Sequence, residues 1–149
     1  MEKVKIISNS EKETKKVGKL LGEEILKEKK PVFLALSGPL GAGKTTFLKG
    51  IAAGLGLKKR IFSPTFLIIK EHKLKNKRKF YHIDCYRLKS YKELKTLDFE
   101  NILKEKNSVI AIEWPEKVLR YLPKERTVRV KINYLSQNKR KIEISAYEK

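Results

Sequence analysis

The stretch Gly38-Pro39-Leu40-Gly41-Ala42-Gly43-Lys44-Thr45-Thr46 constrains this chain more than any other. It has the form G-x-x-x-x-G-K-[ST], the pattern of a phosphate-binding loop between a strand and a helix. Glycines allow the tight turn that points successive backbone N–H groups at one anion. Lys44 then stands as a point charge beside the terminal phosphates, and the Thr45 hydroxyl is placed to ligate Mg²⁺. A helix starting here aims the positive end of its dipole at the same anion. The flanks agree. Pro31 to Ser37 is a short apolar run of buried-strand type. Phe47, Leu48, Ile51, Ala52 and Leu55 then fall at helical spacing, and Gly54 and Gly56 close the segment.

The 149 residues suit one domain with a real core, residues 1–149 as a unit. No apolar run approaches membrane-span length, and Met1 to Lys5 lacks the apolar core of a signal peptide. Cys85 is the sole cysteine, which rules out an intrachain disulfide and fits a cytoplasmic protein with no membrane partner. Thirty-six Lys and Arg against 17 Asp and Glu give a formal net charge of +19. Such a field attracts polyanions, RNA among them. Lysine is spread along the whole chain, so a compositional bias reads slightly better. The one local basic block, Lys73 to Lys79, also reads as an exposed hairpin loop.

Along the chain, Val4 to Ile7 alternates weakly as an edge strand. Ser10-Glu11-Lys12-Glu13 fits a capping box, opening a helix with Val17, Leu20, Leu21 and Ile25 on one face. Ile61 to Lys70 reads as a turn at Ser63-Pro64 followed by a strand, and Lys79 to Asp84 as the second arm of a long hairpin. Tyr91 to Lys106 has helical spacing broken near Asp98. Val109 to Trp114 is an apolar strand ending in an acid, and Pro115 fits the first turn of a short helix. Thr127–Ile132 and Lys141–Ile144 alternate strictly, as an antiparallel pair does.

A phosphate loop of this kind works with a second, metal-organising acid at the end of a neighbouring strand. Asp84 and Glu113 both end apolar strands, at the strand edge where open α/β sheets place ligands. Either is otherwise a surface carboxylate, or in the case of Asp84 a helix cap. Thr65 is a candidate switch residue toward a γ-phosphate or metal, and equally a threonine that begins a strand. Arg87 is a candidate for neutralising charge on a transferred phosphoryl group. Trp114 reads from composition as a core residue, and His82 as structural. The guanine signatures N-K-x-D and D-x-x-G are absent: Asn76-Lys77-Arg78-Lys79 lacks the acid and Asp84-Cys85-Tyr86-Arg87 lacks the glycine. Adenine nucleotide is therefore preferred.

Together, Leu40 to Thr46, Ser63-Pro64-Thr65-Phe66, His82-Ile83-Asp84-Cys85-Tyr86-Arg87 and Glu113-Trp114-Pro115-Glu116 resemble the TsaE family, bacterial ATPases of tRNA threonylcarbamoyladenosine synthesis. Order and spacing match over nearly the full chain. The resemblance implies a single-domain, three-layer P-loop NTPase-like α/β fold whose mixed sheet includes antiparallel strands. It implies binding of Mg²⁺ and ATP/ADP, hydrolysis that is weak in the lone protein, and partners of the TsaD and TsaB type. Contact with tRNA would be indirect or weakly electrostatic. On this resemblance the cofactor-binding set is Gly38, Leu40, Gly41, Ala42, Gly43, Lys44, Thr45 and Thr46, with Glu11 and Thr14 near the base end and Trp114 moved into the site. Thr45, Glu113 and Asp84 form the metal set, and Lys44, Asp84, Glu113 and the switch-like Thr65 the catalytic set. Pro39 departs from the family, which usually has Asp there; proline removes one N–H and fixes φ. Two other readings of the residues are a small-molecule kinase, for which Arg87, Arg120 and Arg126 are too scattered to form a lid, and a basic RNA-binding module with a structural nucleotide.

Overall fold

The computed structural model describes residues 3–39, 41–57 and 69–146. Seven strands form one mixed sheet: β1 (Lys3–Ser8), β2 (Val32–Ser37), β3 (Ile69–Lys73), β4 (Lys79–Asp84), β5 (Val109–Glu113), β6 (Thr127–Tyr134) and β7 (Arg140–Ala146). Their spatial order is β1-β7-β6-β2-β5-β4-β3. The central strands β6, β2, β5 and β4 run parallel. The pairs β1/β7, β6/β7 and β3/β4 are antiparallel. All the residues of β5, and all of β2 except its last, are buried, as their continuous apolar runs require.

Alternation along these strands feeds two cores. Val32, Leu34, Leu36, Phe80, Val109 and Ala111 face helices α1 (Glu11–Leu26) and α2 (Lys44–Gly54). Phe33, Tyr81, Ile83, Ile110 and Ile112 face the opposite layer, with short helices α3 (Tyr91–Lys95) and α4 (Phe99–Leu103). The expected break at Asp98 is real: its φ is +67°, between α3 and α4. Three short 3-10 turns follow β5, the first opening at Pro115. No helix among the described residues is long and apolar enough to cross a membrane.

On the first helix Val17, Leu21 and Ile25 face the core as expected, and Leu20 does not. Ser10 caps the helix, accepting from the Glu13 N–H at 3.1 Å, and Glu13 reaches back to the Asn9 N–H. The buried stripe, however, is Thr14, Gly18, Gly22 and Ile25, while Leu20 is exposed. Apolar periodicity does not register glycine, and here glycines make the contact. A Cβ on Gly18 would lie 2.2 Å from the Phe47 carbonyl oxygen, and one on Gly22 2.3 Å from that of Ile51. Reciprocally, Cβ atoms on Gly50 and Gly54 would strike the Lys15 and Lys19 carbonyl oxygens at 2.1 and 2.2 Å. The two helices therefore cross backbone to backbone, bringing the start of α1 beside the start of α2.

The basic hairpin turn also needs correction. Asn76 and Lys77 take left-handed φ values at its tip. Arg78 is not part of an exposed basic surface. It is buried, donating to the Asn107 carbonyl at 2.5 Å and to the Leu26 carbonyl, at the end of α1, at 3.3 Å.

Candidate functional site

The glycine-rich loop leaves the C-terminal end of β2, in mid-sheet, and enters α2 at Lys44. Gly38, Gly41 and Gly43 all take positive φ, at 146°, 74° and 104°. Gly38 also lies against β6, where a Cβ would stand 2.2 Å from the Ile132 carbonyl oxygen. No other residue meets both demands. Pro39 is exposed, and its carbonyl accepts from the Ala42 N–H at 3.2 Å, so the proline tightens the outer turn of the loop. Leu40 lies outside the described residues, as does the whole Ser63-Pro64-Thr65-Phe66 segment with its candidate switch Thr65.

Lys44 is 5% exposed and donates from Nζ to the Gly38 carbonyl. The same Nζ stands 3.4 Å from the centroid of the Trp114 ring. Burial lowers its pKa, opposed by the negative charges of Glu113, Glu116 and Asp84. Trp114 thus stands at the loop while also packing against the second core. It holds a left-handed backbone, φ 56° and ψ 58°, which is strained for so large a side chain. Its N–H is tied to the Leu36 carbonyl at the end of β2, and its ring packs on Tyr86 at 4.9 Å.

The two strand-end acids come together. Asp84 and Glu113 are register partners on β4 and β5. Asp84 is partly buried, which raises its pKa; the Tyr86 N–H bonded to its Oδ1 at 2.9 Å pulls the other way, and the charge of Glu113 raises it again. Glu113 is buried and shares a 2.6 Å hydrogen bond with His82 Nε2. His82 is therefore more than a structural strand residue: fully buried, it holds the Glu113 carboxylate. Two-residue alternation already places it on the same face of β4 as Asp84, and that was the available signal.

A cavity of about 410 Å³ opens beside the loop, lined by Glu11, Thr14, Gly41, Gly43, Thr46 and the turn before β7 with Gln137, Asn138 and Arg140. Thr46 donates to Glu11 at 3.3 Å, joining the two helix starts. Thr14 spends its hydroxyl on Ser8 and Ser10 and presents its methyl to Gly43. Arg140 was not foreseen. Its Nε donates to the Ala42 carbonyl at 3.1 Å, its Nη1 to the carbonyls of Ser136, Gln137 and Lys139, and its guanidinium stacks on Tyr134. It ties the loop to the β6–β7 turn. Nothing local in the sequence announces this contact, which spans 98 positions. Arg120 and Arg126 do not meet as a lid. Arg126 is bound to the Pro31 carbonyl and paired with Glu28, and Arg120 lies on Tyr121. Arg87 is exposed.

Sheet, loop and acids together define a P-loop NTPase-like α/β protein. Residues 8–142 match the family model described as threonylcarbamoyl adenosine biosynthesis protein TsaE, and the chain belongs to that family. Its relatives named tRNA threonylcarbamoyladenosine biosynthesis protein TsaE include one from Borreliella burgdorferi, 46% identical over 61% of this chain and 65% of that protein. Another, from Treponema pallidum, is 34% identical over 95% of this chain and the full length of the relative. The crystal structure of Bacillus subtilis YdiB superposes with a TM-score of 0.75 at 31% identity, covering 99% of this chain and 87% of that one.

Proposed function

We propose that the chain binds ATP with Mg²⁺ and hydrolyses it as one component of the machinery that makes threonylcarbamoyladenosine in tRNA. The observation that carries this reading is the pairing of Asp84 with Glu113 in register, beside Lys44 at the start of α2. That is the arrangement in which a phosphate loop and a metal-organising acid cooperate. The loop amides from Gly41 to Thr45 and the Lys44 ammonium bind the phosphates. The cavity between Glu11, Thr14 and Arg140 takes the base end, and the missing guanine signatures make that base adenine.

The donor set fits Mg²⁺. Thr45, Asp84 and Glu113 offer hard oxygens only. Among the described residues no cluster of three or more His, Cys, Asp or Glu could hold a metal by itself. When bound, the ion neutralises charge on the phosphates. The protein's own residues orient: His82 holds Glu113, Trp114 walls the Lys44 ammonium from solvent, and Thr65 is the switch-like residue toward the γ-phosphate or metal. Slow turnover alone, raised by partners of the TsaD and TsaB type, completes the proposal.

Titration calorimetry with ATP and Mg²⁺ tests it. Saturable binding that Lys44→Ala abolishes is expected, and phosphate release should rise when the partner proteins are added. Absence of ATP binding to the intact chain sinks the reading. Binding without any partner effect leaves the nucleotide site and removes the place in the complex.

A further inference from the structure

Among the described residues, the layer carrying α3 and α4 covers only part of its sheet face. Its core draws on β2, β4 and β5, and includes no residue of β6, β7 or β1. The uncovered half is a groove. A cleft of about 910 Å³ runs between α3, the turns after β5 and the edge of β6, and a second of about 320 Å³ continues across β6 and β7 to Lys3. The two share Glu116, Leu119, Arg129 and Ser145, so they form one channel. Its lining holds eight lysines and arginines against two carboxylates, Glu116 and Glu143, and Glu143 is already paired with Lys3 and Lys141. Arg129 and Lys131 project from alternate positions of β6 and are exposed.

At one end stands an aromatic pair. Tyr91 and Tyr121 stack at 3.7 Å with an 11° interplanar angle. Lys95 lies over the Tyr91 ring at 5.8 Å and Arg120 over the Tyr121 ring at 4.9 Å. Cations tracking a backbone plus ring faces on which bases stack are the two parts of a single-strand nucleic-acid site. A purely acidic protein surface would use the cations and leave the Tyr121 ring, 38% exposed with Arg120 over it, without a function.

We infer that this groove binds an unpaired segment of RNA, its phosphates along Arg129 and Lys131 and a base against the exposed Tyr121 end of the stack, beside the Arg120 guanidinium. The choice of RNA over DNA rests on the function proposed above. One end of the groove reaches Ser37 and Glu116, next to the phosphate loop, while the Tyr91–Tyr121 end lies beyond the turn at Pro115–Lys117.

The test is fluorescence anisotropy of the full chain with a labelled, unstructured RNA of about twelve nucleotides, a length within the range one such site covers. Tyr121→Ala is expected to weaken binding roughly tenfold or more. Reversing Arg129 and Lys131 to Glu should weaken it further and flatten the salt dependence. Reversing Lys12 and Lys16 to Glu on the exposed side of α1 changes the net charge equally and should leave binding within about twofold, the charge being off the groove. Equal loss from both reversals, with no effect of Tyr121→Ala, overturns the proposal in favour of a diffuse field. So does loss of partner-protein capture by the groove variants while RNA affinity stays unchanged. Should Tyr121→Ala unfold, crosslinking of a 4-thiouridine RNA to the intact chain must map to Tyr91 or Tyr121; crosslinks elsewhere reject the site. ATP titration of the same samples separates this from the nucleotide reading, because Lys44→Ala should lose ATP and keep RNA.

Discussion

His82 and Trp114 show how much of the site depends on side chains that touch no phosphate in the motif itself. Trp114 accepts a left-handed backbone that costs on the order of 1–3 kcal/mol, and in return its ring covers the Lys44 ammonium. His82 fixes one oxygen of Glu113, leaving the carboxylate a single orientation beside Asp84. On the proposed function Glu113 organises the metal, and removing the partner of such an acid typically costs roughly 10- to 100-fold in metal affinity or activity. His82→Leu should therefore raise the Mg²⁺ concentration needed for half-maximal ATP turnover by about that factor. ATP binding without metal should change little, since Lys44 and the loop are untouched. His82→Gln, which can still donate to Glu113, should recover part of the loss. An unchanged Mg²⁺ requirement in His82→Leu would remove the positioning role.

At the scale of elements, the site depends on two helices that approach each other more closely than side chains permit. Four glycines, Gly18 and Gly22 on α1 and Gly50 and Gly54 on α2, let each backbone meet the other's carbonyls. That contact carries Glu11 to Thr46 and the Thr14 methyl to Gly43. Gly18→Ala or Gly50→Ala forces the helices apart, because the atom struck is backbone. Overpacking of this sort costs about 1–3 kcal/mol, occasionally more. Urea unfolding should show a lower midpoint at unchanged slope, and ATP affinity should fall with it as the cavity beside the loop widens. Wild-type stability in both variants would show that the helices are not held at this spacing. The described strands, the starts of the two long helices and the Asp98 break were legible in the sequence, because apolar period and turn chemistry act locally; the hairpin arm read over residues 61–70 lies mostly outside the described residues. The loop and the two acids were legible for the same reason: each sits at the end of a recognisable strand. The glycine contact was not, since glycine contributes nothing to an apolar stripe. Nor were the Arg140 clamp on Ala42 and the burial of Arg78, whose partners lie far away in the chain.

The whole molecule carries a charge of +19, and this sets a property that no single residue reveals. With 36 cations and 17 anions, 19 cations have no acid to pair with even if every acid were used once. The ion pairs that do form are largely at the surface, such as Lys27–Glu24 and Lys95–Glu100, and pairs of this kind contribute little. Folding therefore concentrates like charge that the extended chain holds farther apart, and the compact state is destabilised by self-repulsion. Salt screens this repulsion over a Debye length of about 10 Å at 0.1 M. Raising NaCl from roughly 20 to 300 mM should accordingly increase the melting temperature of the free protein. A gain of about 1 kcal/mol corresponds to roughly 2–4 °C for a chain of this size. Scanning calorimetry across that series, without nucleotide, checks the sign. Sodium chloride weakens specific ion pairs as well as repulsion, so a melting temperature that falls with salt would mean that attractive pairs outweigh the field. A short polyanion added at low salt should reproduce the stabilisation in wild type. If the uncovered sheet face is where the polyanion binds, that gain should shrink in the Arg129→Glu, Lys131→Glu double variant.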